Sequence, residues 1–336
     1  LRYLLKGVLV MTRSKKGLLG VSAGLLALAG LAFGSVGMRA IANPTSTQKE
    51  PGLVAQNPPI TTLRIVLPSR SDSTDLQNKA NRLAAFLSAE LKMPVQATVG
   101  DDTAAVEALR ANRAEISFLN SRGAIKAQKL ANARMYLAEV RSNYSGRFTY
   151  RSIFVVPKDS PLKTQRGASA RVALGQLRGR RIAFTSPTSG SGFIVPVGEL
   201  VKSGLVPNRD RLGNFFGQVS YGGGYSGALQ AVLRGQADVA AVSEYTLGAP
   251  YITAEEAQRL RILYSISGVP AHGIVIDDRV SGQMRNRIIA ALLKLNQSKN
   301  NSLLRDLYNS TELVPVNHDT HVKPMLEALQ RAGIEP

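Results

Sequence analysis

Apolar positions along the chain follow two alternating rhythms. Leu63-Arg64-Ile65-Val66-Leu67 is a short apolar run closed by Pro68 and predicts a strand. The segment 75–91 then carries Leu76, Leu83, Phe86, Leu87 and Leu91 at helical spacing. The alternation continues with a strand at 95–99, a helix at 103–111, a strand at 116–119, a helix at 124–130 and strands at 134–140 and 151–156. An irregular connection follows, 157–179, with a short helical turn at 174–177. The pattern then restarts with a strand at 181–184, a turn at 186–192, a helix at 193–203, a strand at 218–221 and a helix at 226–234. It ends with strands at 239–242, 261–264 and 273–276 and helices at 281–295, 301–309 and 322–332. Strands alternating with helices predict an α/β protein with mostly parallel sheets flanked by helices. Two such series predict two lobes joined by two crossing strands, near Val155 and Ile274. On that reading 60–156 and 275–336 form the first lobe and 157–274 the second. A ligand in such a layout sits between the lobes, at strand carboxyl ends and helix N-termini.

The N-terminus changes what the charge means. Arg13, Lys15 and Lys16 precede an uncharged stretch, 17–38, rich in Leu, Ala and Gly, which closes on Ala40-Ile41-Ala42. Basic, apolar and small-x-small segments in that order read as a secretory signal peptide, over 1–42; residues 1–10 precede a plausible start Met11 and read as an extension. If uncleaved, the same run is long enough to anchor the chain in a membrane. A polar tether with Pro44, Pro51, Pro58 and Pro59 covers 43–59. The leader's six basic residues face no acid, so its removal takes the formal charge from +19 to +13. The remaining Arg and Lys are scattered, which suits anion steering or a solvated face equally. An exported chain without basic tracts interleaved with aromatics is not a nucleic-acid binder. There is no Cys, which removes disulfides, thiolate metal sites and Cys nucleophiles.

The most informative segment runs Phe184-Thr185-Ser186-Pro187-Thr188-Ser189-Gly190-Ser191-Gly192-Phe193. It follows a strand and opens a helix. Hydroxyls of Thr188, Ser189 and Ser191 and amides at Gly190 and Gly192 would converge at a helix N-terminus, a small anion site needing no cation. An ordinary N-cap by Ser189 or Ser191 fits the same residues equally well.

Several further segments carry a family likeness in order along the chain. Ala114-Glu115-Ile116-Ser117-Phe118-Leu119, Tyr150-Arg151-Ser152-Ile153-Phe154-Val155-Val156, Leu177-Arg178-Gly179-Arg180-Arg181-Ile182-Ala183-Phe184, the turn from Pro187 to Pro196, and the stretch from Ala228 to Val239 are the matching motifs. Together they resemble the phosphate/phosphite/phosphonate-binding family of ABC-transporter periplasmic proteins. The resemblance implies a two-lobed periplasmic-binding-protein fold of type II that closes on its ligand by hinge bending. It implies that Ser189 and Ser191, with the backbone at Gly190 and Gly192, hold phosphorus oxygens. The family's patterns are altered at several places. Gly190 stands where Thr is usual, Ala124 where Tyr is frequent, Tyr225-Ser226 where His-Asp is usual, and His272 at an acidic position. Glu244 stands near the acidic position that follows a buried strand. Fewer acids suit a ligand without an amine.

The further candidate ligand groups are Asn120 and Arg122, Ser69 in the loop 69–73, Tyr225 and Ser226 after a Gly run, Glu244 and His272. The loop 69–73 reads more readily as a helix cap by Ser73 or Asp75. An enzyme is not expected. Gly190-Ser191-Gly192 is too short for a nucleophile elbow, and His318-Asp319-Thr320-His321 lacks metal-ligand spacing; no catalytic, metal or cofactor group is expected. The expected protein is a periplasmic monomer that captures a small oxyanion, such as a phosphonate, phosphite or phosphate, for an ABC permease in the inner membrane. A sensor that presents its ligand to a membrane receptor, or a binder of another anion, would use the same fold.

Overall fold

The computed structural model describes residues 60–70, 75–165 and 167–336. The expected leader and tether lie outside the described residues, as do positions 71–74 of the first loop. Among the described residues no helix is long and apolar enough to cross a membrane.

The first part of the chain runs β1 (Leu63–Pro68), α1 (Leu76–Leu91), β2 (Val95–Gly100), α2 (Asp102–Arg110), β3 (Ile116–Leu119), α3 (Ser121–Ala131) and β4 (Arg134–Val140). There follow β5 (Thr149–Pro157), α4 (Ala170–Gly175), β6 (Arg181–Phe184), α5 (Val195–Lys202), β7 (Gln218–Tyr221), α6 (Tyr225–Leu233), β8 (Val239–Ser243), α7 (Ala254–Gln258) and β9 (Leu260–Pro270). The chain closes with β10 (Gly273–Ile276), α8 (Gly282–Leu293), α9 (Ser302–Tyr308), β11 (Glu312–Pro315) and α10 (His318–Ala332). One sheet has the order β11-β4-β10-β3-β1-β2 and the other β7-β6-β8-β5-β9. β1 runs parallel to β2 and β3, and β6 parallel to β7 and β8. β10 returns antiparallel between β3 and β4, and β5 lies antiparallel between β8 and β9. The fold is therefore mixed α/β and two-lobed, the layout that the resemblance implies.

The boundary between the lobes falls earlier than the sequence pattern suggested. β5, expected to finish the first lobe at Val156, pairs along its length in the second sheet. Its fully apolar run, Ile153–Val156, signals burial without saying in which sheet. The connections between sheets are thus 141–148 and 271–272. They are tied to each other: Ala271 donates its N–H to Phe148 O at 3.1 Å.

The sequence builds each layer by periodicity. α1 turns Leu76, Ala80, Leu83, Ala84, Leu87 and Leu91 inward against the first sheet, each large aliphatic contributing roughly 1.5–3 kcal/mol by burial. A second apolar body runs from α2 and α3 through α10 into the second lobe. α10 follows β11 of the first sheet, yet its Met325, Ala328 and Leu329 join that second body. Gly198 lets α5 approach it: a Cβ there would lie 3.1 Å from Ala328 O. α10 begins four residues before its expected start because His318 and His321, polar in sequence, are buried. His318 Nδ1 accepts the Met135 N–H at 2.9 Å, and His321 Nε2 donates to Ala271 O at 2.9 Å. α10 is thereby fastened to the second connection between the lobes.

Candidate functional site

The segment after β6 turns sharply. Ser189 N–H donates to Ser186 O at 3.1 Å, and the Ser186 and Thr188 hydroxyls lie 3.3 Å apart. Gly190–Ile194 then forms a π-helical turn that runs directly into α5. Such wide turns expose more unpaired amide than an ordinary helix start and recur at functional sites. Ser189 Oγ accepts the Gly192 N–H at 3.1 Å, so Ser189 is an N-cap. The cap uses a lone pair and leaves the hydroxyl proton available to a ligand.

Other helix N-termini face the same space. α3 starts with Asn120 as cap, its Oδ1 accepting the Gly123 N–H at 2.8 Å. Asn120 Nδ2 reaches across to Asp102 Oδ2, at the start of α2, at 2.9 Å. α6 starts at Tyr225, directly after the Gly run. Gly223 has φ of 72°, and a Cβ on Gly222 would overlap the backbone of Gly227 and Ala228, so the run brings the loop tight against the helix start. Helix N-termini carry partial positive charge and unsatisfied amides, which favours a negative occupant.

Between these walls lies a cavity of about 210 Å³. Arg70, Asp102, Asn120, Ser121, Arg122, Arg141 and His272 line it together with Tyr150, Tyr225, Tyr245, Tyr251 and Met325. The turn contributes Ser186, Thr188, Ser189 and Gly190. The tyrosines pack on one another, with Tyr150–Tyr245, Tyr225–Tyr245 and Tyr225–Tyr251 centroids 5.2, 5.9 and 5.7 Å apart. Burial raises Tyr150 and Tyr245 well above the ordinary phenol range, so both stay neutral hydroxyls.

Beneath the cavity Glu139 is fully buried. It is held by Arg141 Nε at 3.3 Å, Arg70 Nη1 at 3.4 Å, the Tyr144 hydroxyl at 2.7 Å and the Ser310 hydroxyl at 2.6 Å. Burial alone would raise this carboxyl. Arg141 and Arg70, helped by Ser310, overcome that and hold it well below the usual range. Arg70 stacks on Tyr308, 3.8 Å from its ring centroid, and Arg141 lies 5.4 Å from that of Tyr245. His272 Nδ1 is 3.5 Å from Glu139 Oε1. Burial, reinforced by Arg70, depresses His272 well below its ordinary value, so it is neutral at pH 7. Asp102 opens toward solvent, yet loss of hydration between the walls raises its carboxyl, against the pull of Arg70. Burial lowers Arg122, with Asp102 working in the opposite sense.

Of the residues singled out from sequence, Thr188, Ser189, Gly190, Tyr225, His272, Asn120 and Arg122 line the cavity. Ser191 and Gly192 are buried behind the turn. Ser191 Oγ pairs with the Tyr225 hydroxyl at 2.8 Å, its carbonyl accepts from Ser152 Oγ at 2.6 Å, and Gly192 packs under Thr185. Ser226 and Ser69 do not line it; Ser69 is exposed, its N–H donating to Gly100 O at 2.7 Å. Glu244 braces a connection, Oε1 accepting the N–H of Ser145 and of Arg151 at 2.8 and 3.1 Å. Asp75 stands at the α1 N-cap without a side-chain bond to the helix amides. Arg141, Tyr150, Tyr245, Tyr251, Asp102 and the Arg70 side chain were not identified as ligand groups from sequence. They come from separate segments, and no spacing joins them. Among the described residues no group of three or more His, Cys, Asp or Glu is placed to hold a metal ion.

Two α/β lobes, joined by two connections and enclosing a cavity of hydroxyls, amides and guanidiniums, define a two-lobed solute-binding protein. A family model described as ABC transporter, phosphonate, periplasmic substrate-binding protein matches residues 65–321, and the chain belongs to that family. Its members are the substrate-binding components of transporters, working with a membrane permease outside the cytoplasm. No curated protein sequence compared with the chain matches it. Solved structures share its fold. A binding protein component of an ABC phosphonate transporter from Pseudomonas aeruginosa is 19% identical over 80% of this chain and 86% of its own, with a TM-score of 0.61. PhnD1 from Prochlorococcus marinus, in complex with methylphosphonate, is 17% identical over 81% and 98%, with a TM-score of 0.63. A Xanthomonas citri protein bound to ATP is 18% identical over 81% and 98%, with a TM-score of 0.66.

Proposed function

We propose that the protein captures a small phosphorus oxyanion, a phosphonate in the first instance, in the cavity between its lobes and presents it to an ABC permease. The observation that carries this reading is the turn Ser186–Gly190 on the second lobe lining one cavity with Arg70, Arg122 and Arg141 from the first lobe and its connection. Hydroxyls and amides of the turn take the phosphorus oxygens. The guanidiniums balance their charge, since charge-assisted hydrogen bonds are about twice as strong as neutral ones. Closure about 141–148 and 271–272 excludes water and strengthens both. The protein works as a monomer in the periplasm, exported by the leader at its N-terminus.

Calorimetric titration with methylphosphonate tests the assignment of the turn. Thr188→Ala with Ser189→Ala removes two hydroxyl donors, each worth about 1.5–3 kcal/mol to a charged acceptor, so affinity falls at least about tenfold. The ligand-free protein loses only about 0.5–2 kcal/mol, the cost of a lost helix cap. Wild-type affinity in the double variant would remove the turn from the binding site.

A further inference from the structure

His272 stands in the second connection between the lobes and lines the cavity. What lies beneath it fixes where its ring proton sits. Nδ1 is 3.5 Å from Glu139 Oε1 and closed off from solvent. Glu139 is ionised, held by Arg70, Arg141, Tyr144 and Ser310. A nitrogen lone pair set against a carboxylate oxygen is repelled by it, so the proton of the neutral ring is on Nδ1. A second ring proton is opposed by burial and by Arg70, Arg141 and His321, against the pull of Glu139. Nε2, at the far edge of the ring, is then an acceptor turned to the cavity. Nothing among the described residues hydrogen-bonds to it.

Most of the polar wall donates. The guanidiniums of Arg70, Arg122 and Arg141 donate only, and the hydroxyls of Ser186, Thr188 and Ser189 bring protons of their own. Asp102 is the other acceptor, and its Oδ2 already takes the Asn120 amide at 2.9 Å. Charge agrees with a ligand that keeps a proton. Three guanidiniums stand against the carboxylates of Glu139 and Asp102, and His272 is neutral, so the surroundings carry one net positive charge. A fully ionised tetrahedral anion offers lone pairs alone and would meet Nε2 lone pair to lone pair, leaving a desolvated acceptor unmatched. A phosphonate monoanion keeps one P–O–H, and that proton suits Nε2.

We infer that His272 accepts a hydrogen bond from the ligand through Nε2, and that the protein thereby selects a singly protonated phosphorus oxyanion over a tetrahedral anion without a proton, such as a sulfonate. This rests on the function proposed above and adds the form of ligand that the site takes.

Methylphosphonate monoanion and methanesulfonate share shape and charge and differ by that one proton. Calorimetric titration of the wild-type protein with each, below the second ionisation of methylphosphonate, tests the inference. Methylphosphonate should bind at least about tenfold tighter, since a site built to bond a hydroxyl rejects the analogue lacking it. Above that ionisation, binding of methylphosphonate should take up about one proton, read from heats in buffers of different ionisation enthalpy. Methanesulfonate should take up none. His272→Phe should narrow the preference to below about threefold, and the wild-type comparison stands by itself where that variant does not fold. A wild-type preference below about tenfold, or no proton uptake, overturns the inference and leaves oxyanion capture standing. So does a preference that persists in His272→Phe, which gives the role to Asp102. Failure of both anions to bind overturns the capture reading as well.

Discussion

Replacing Glu139 by Gln keeps the shape of the side chain and removes its charge. In the wild type that carboxylate is wholly buried between Arg141 at 3.3 Å and Arg70 at 3.4 Å. Removing one partner of a buried ion cluster leaves the others uncompensated, at a cost of about 3–5 kcal/mol. That is a large part of the ~5–15 kcal/mol by which a folded protein is stable. For a chain of this size it corresponds to a melting point lower by roughly 4–9 °C. Urea unfolding should show the loss as a lower midpoint at unchanged slope. A second readout separates charge from packing. With His272 neutral, the Arg70–Arg141–Glu139 group changes from one net positive charge to two, so added sulfate should restore the variant more than it raises the wild type. The pH dependence has a defined sign. Glu139 is depressed on folding from an ordinary value of 4.5, so its contribution is complete above 4.5 and is lost progressively as pH falls below it. The variant should lack that acid-side loss. A midpoint within about 1 kcal/mol of wild type, with no extra response to sulfate, would refute the view that Glu139 anchors the guanidiniums.

The three histidines act at higher pH. His272, His318 and His321 are each depressed from 6.5, burial being the largest cause. The unfolded chain therefore binds protons first, and stability is full above 6.5 and falls as pH drops below it, by at most about 1.4 kcal/mol per pH unit for each histidine. Urea midpoints that stay flat between about pH 7 and about pH 5 would contradict this. Two glycines of the turn should respond differently to the same change. Gly190→Ala brings a methyl to 2.8 Å from Met325 Cε, the mobile end of an adaptable side chain, and should cost less than about 1 kcal/mol. Gly192→Ala drives a methyl into the buried Thr185 side chain and to 2.8 Å from Ser189 Oγ. It should cost about 1–3 kcal/mol by overpacking, and equal unfolding midpoints for the two variants would disprove the placement of the turn.

The strands at 116–119, 181–184, 218–221 and 273–276 were legible because each is a short run bounded by polar or glycine residues. Other features hid for identifiable reasons. β11, Glu-Leu-Val-Pro, is too short to show alternation. α7 has no buried residue, so it leaves no periodic trace. β9 extends six residues past the expected 264, through half-exposed Ser265 and Gly268 and exposed Ser267, which break the apolar run. In the site, the turn was legible because its chemistry is contiguous in sequence. Arg70, Arg141, Tyr150 and Tyr245 were not, because only the pairing of β1 with β3, β3 with β10 and β10 with β4 in one sheet, and of β5 with β8 in the other, brings their segments together. Ser191 shows the converse: a hydroxyl inside the same turn motif, turned inward to bond Tyr225.

The position of the cations bears on how binding and closure are coupled. Arg141 opens the first connection, 141–148, and His272 sits in the second, 271–272, with Glu139 N–H donating to His272 O at 2.8 Å. Tyr144, inside the first connection, donates to Glu139. On the proposed function, the charge that balances the anion is rooted at the pivot, where a hinge motion displaces groups least. The hydroxyl turn lies on the second lobe, and Met325 of α10 packs against it at Gly190. α10 is in turn fixed to the pivot through His321 and Ala271 O. On that reading, an anion first met by Arg141 and Arg70 needs only the turn to arrive for its remaining oxygens to be satisfied. On the same reading, a ligand without oxygens for the turn gains charge neutralisation but not the hydrogen bonds that link the lobes, and the open form is then expected to be the stable one.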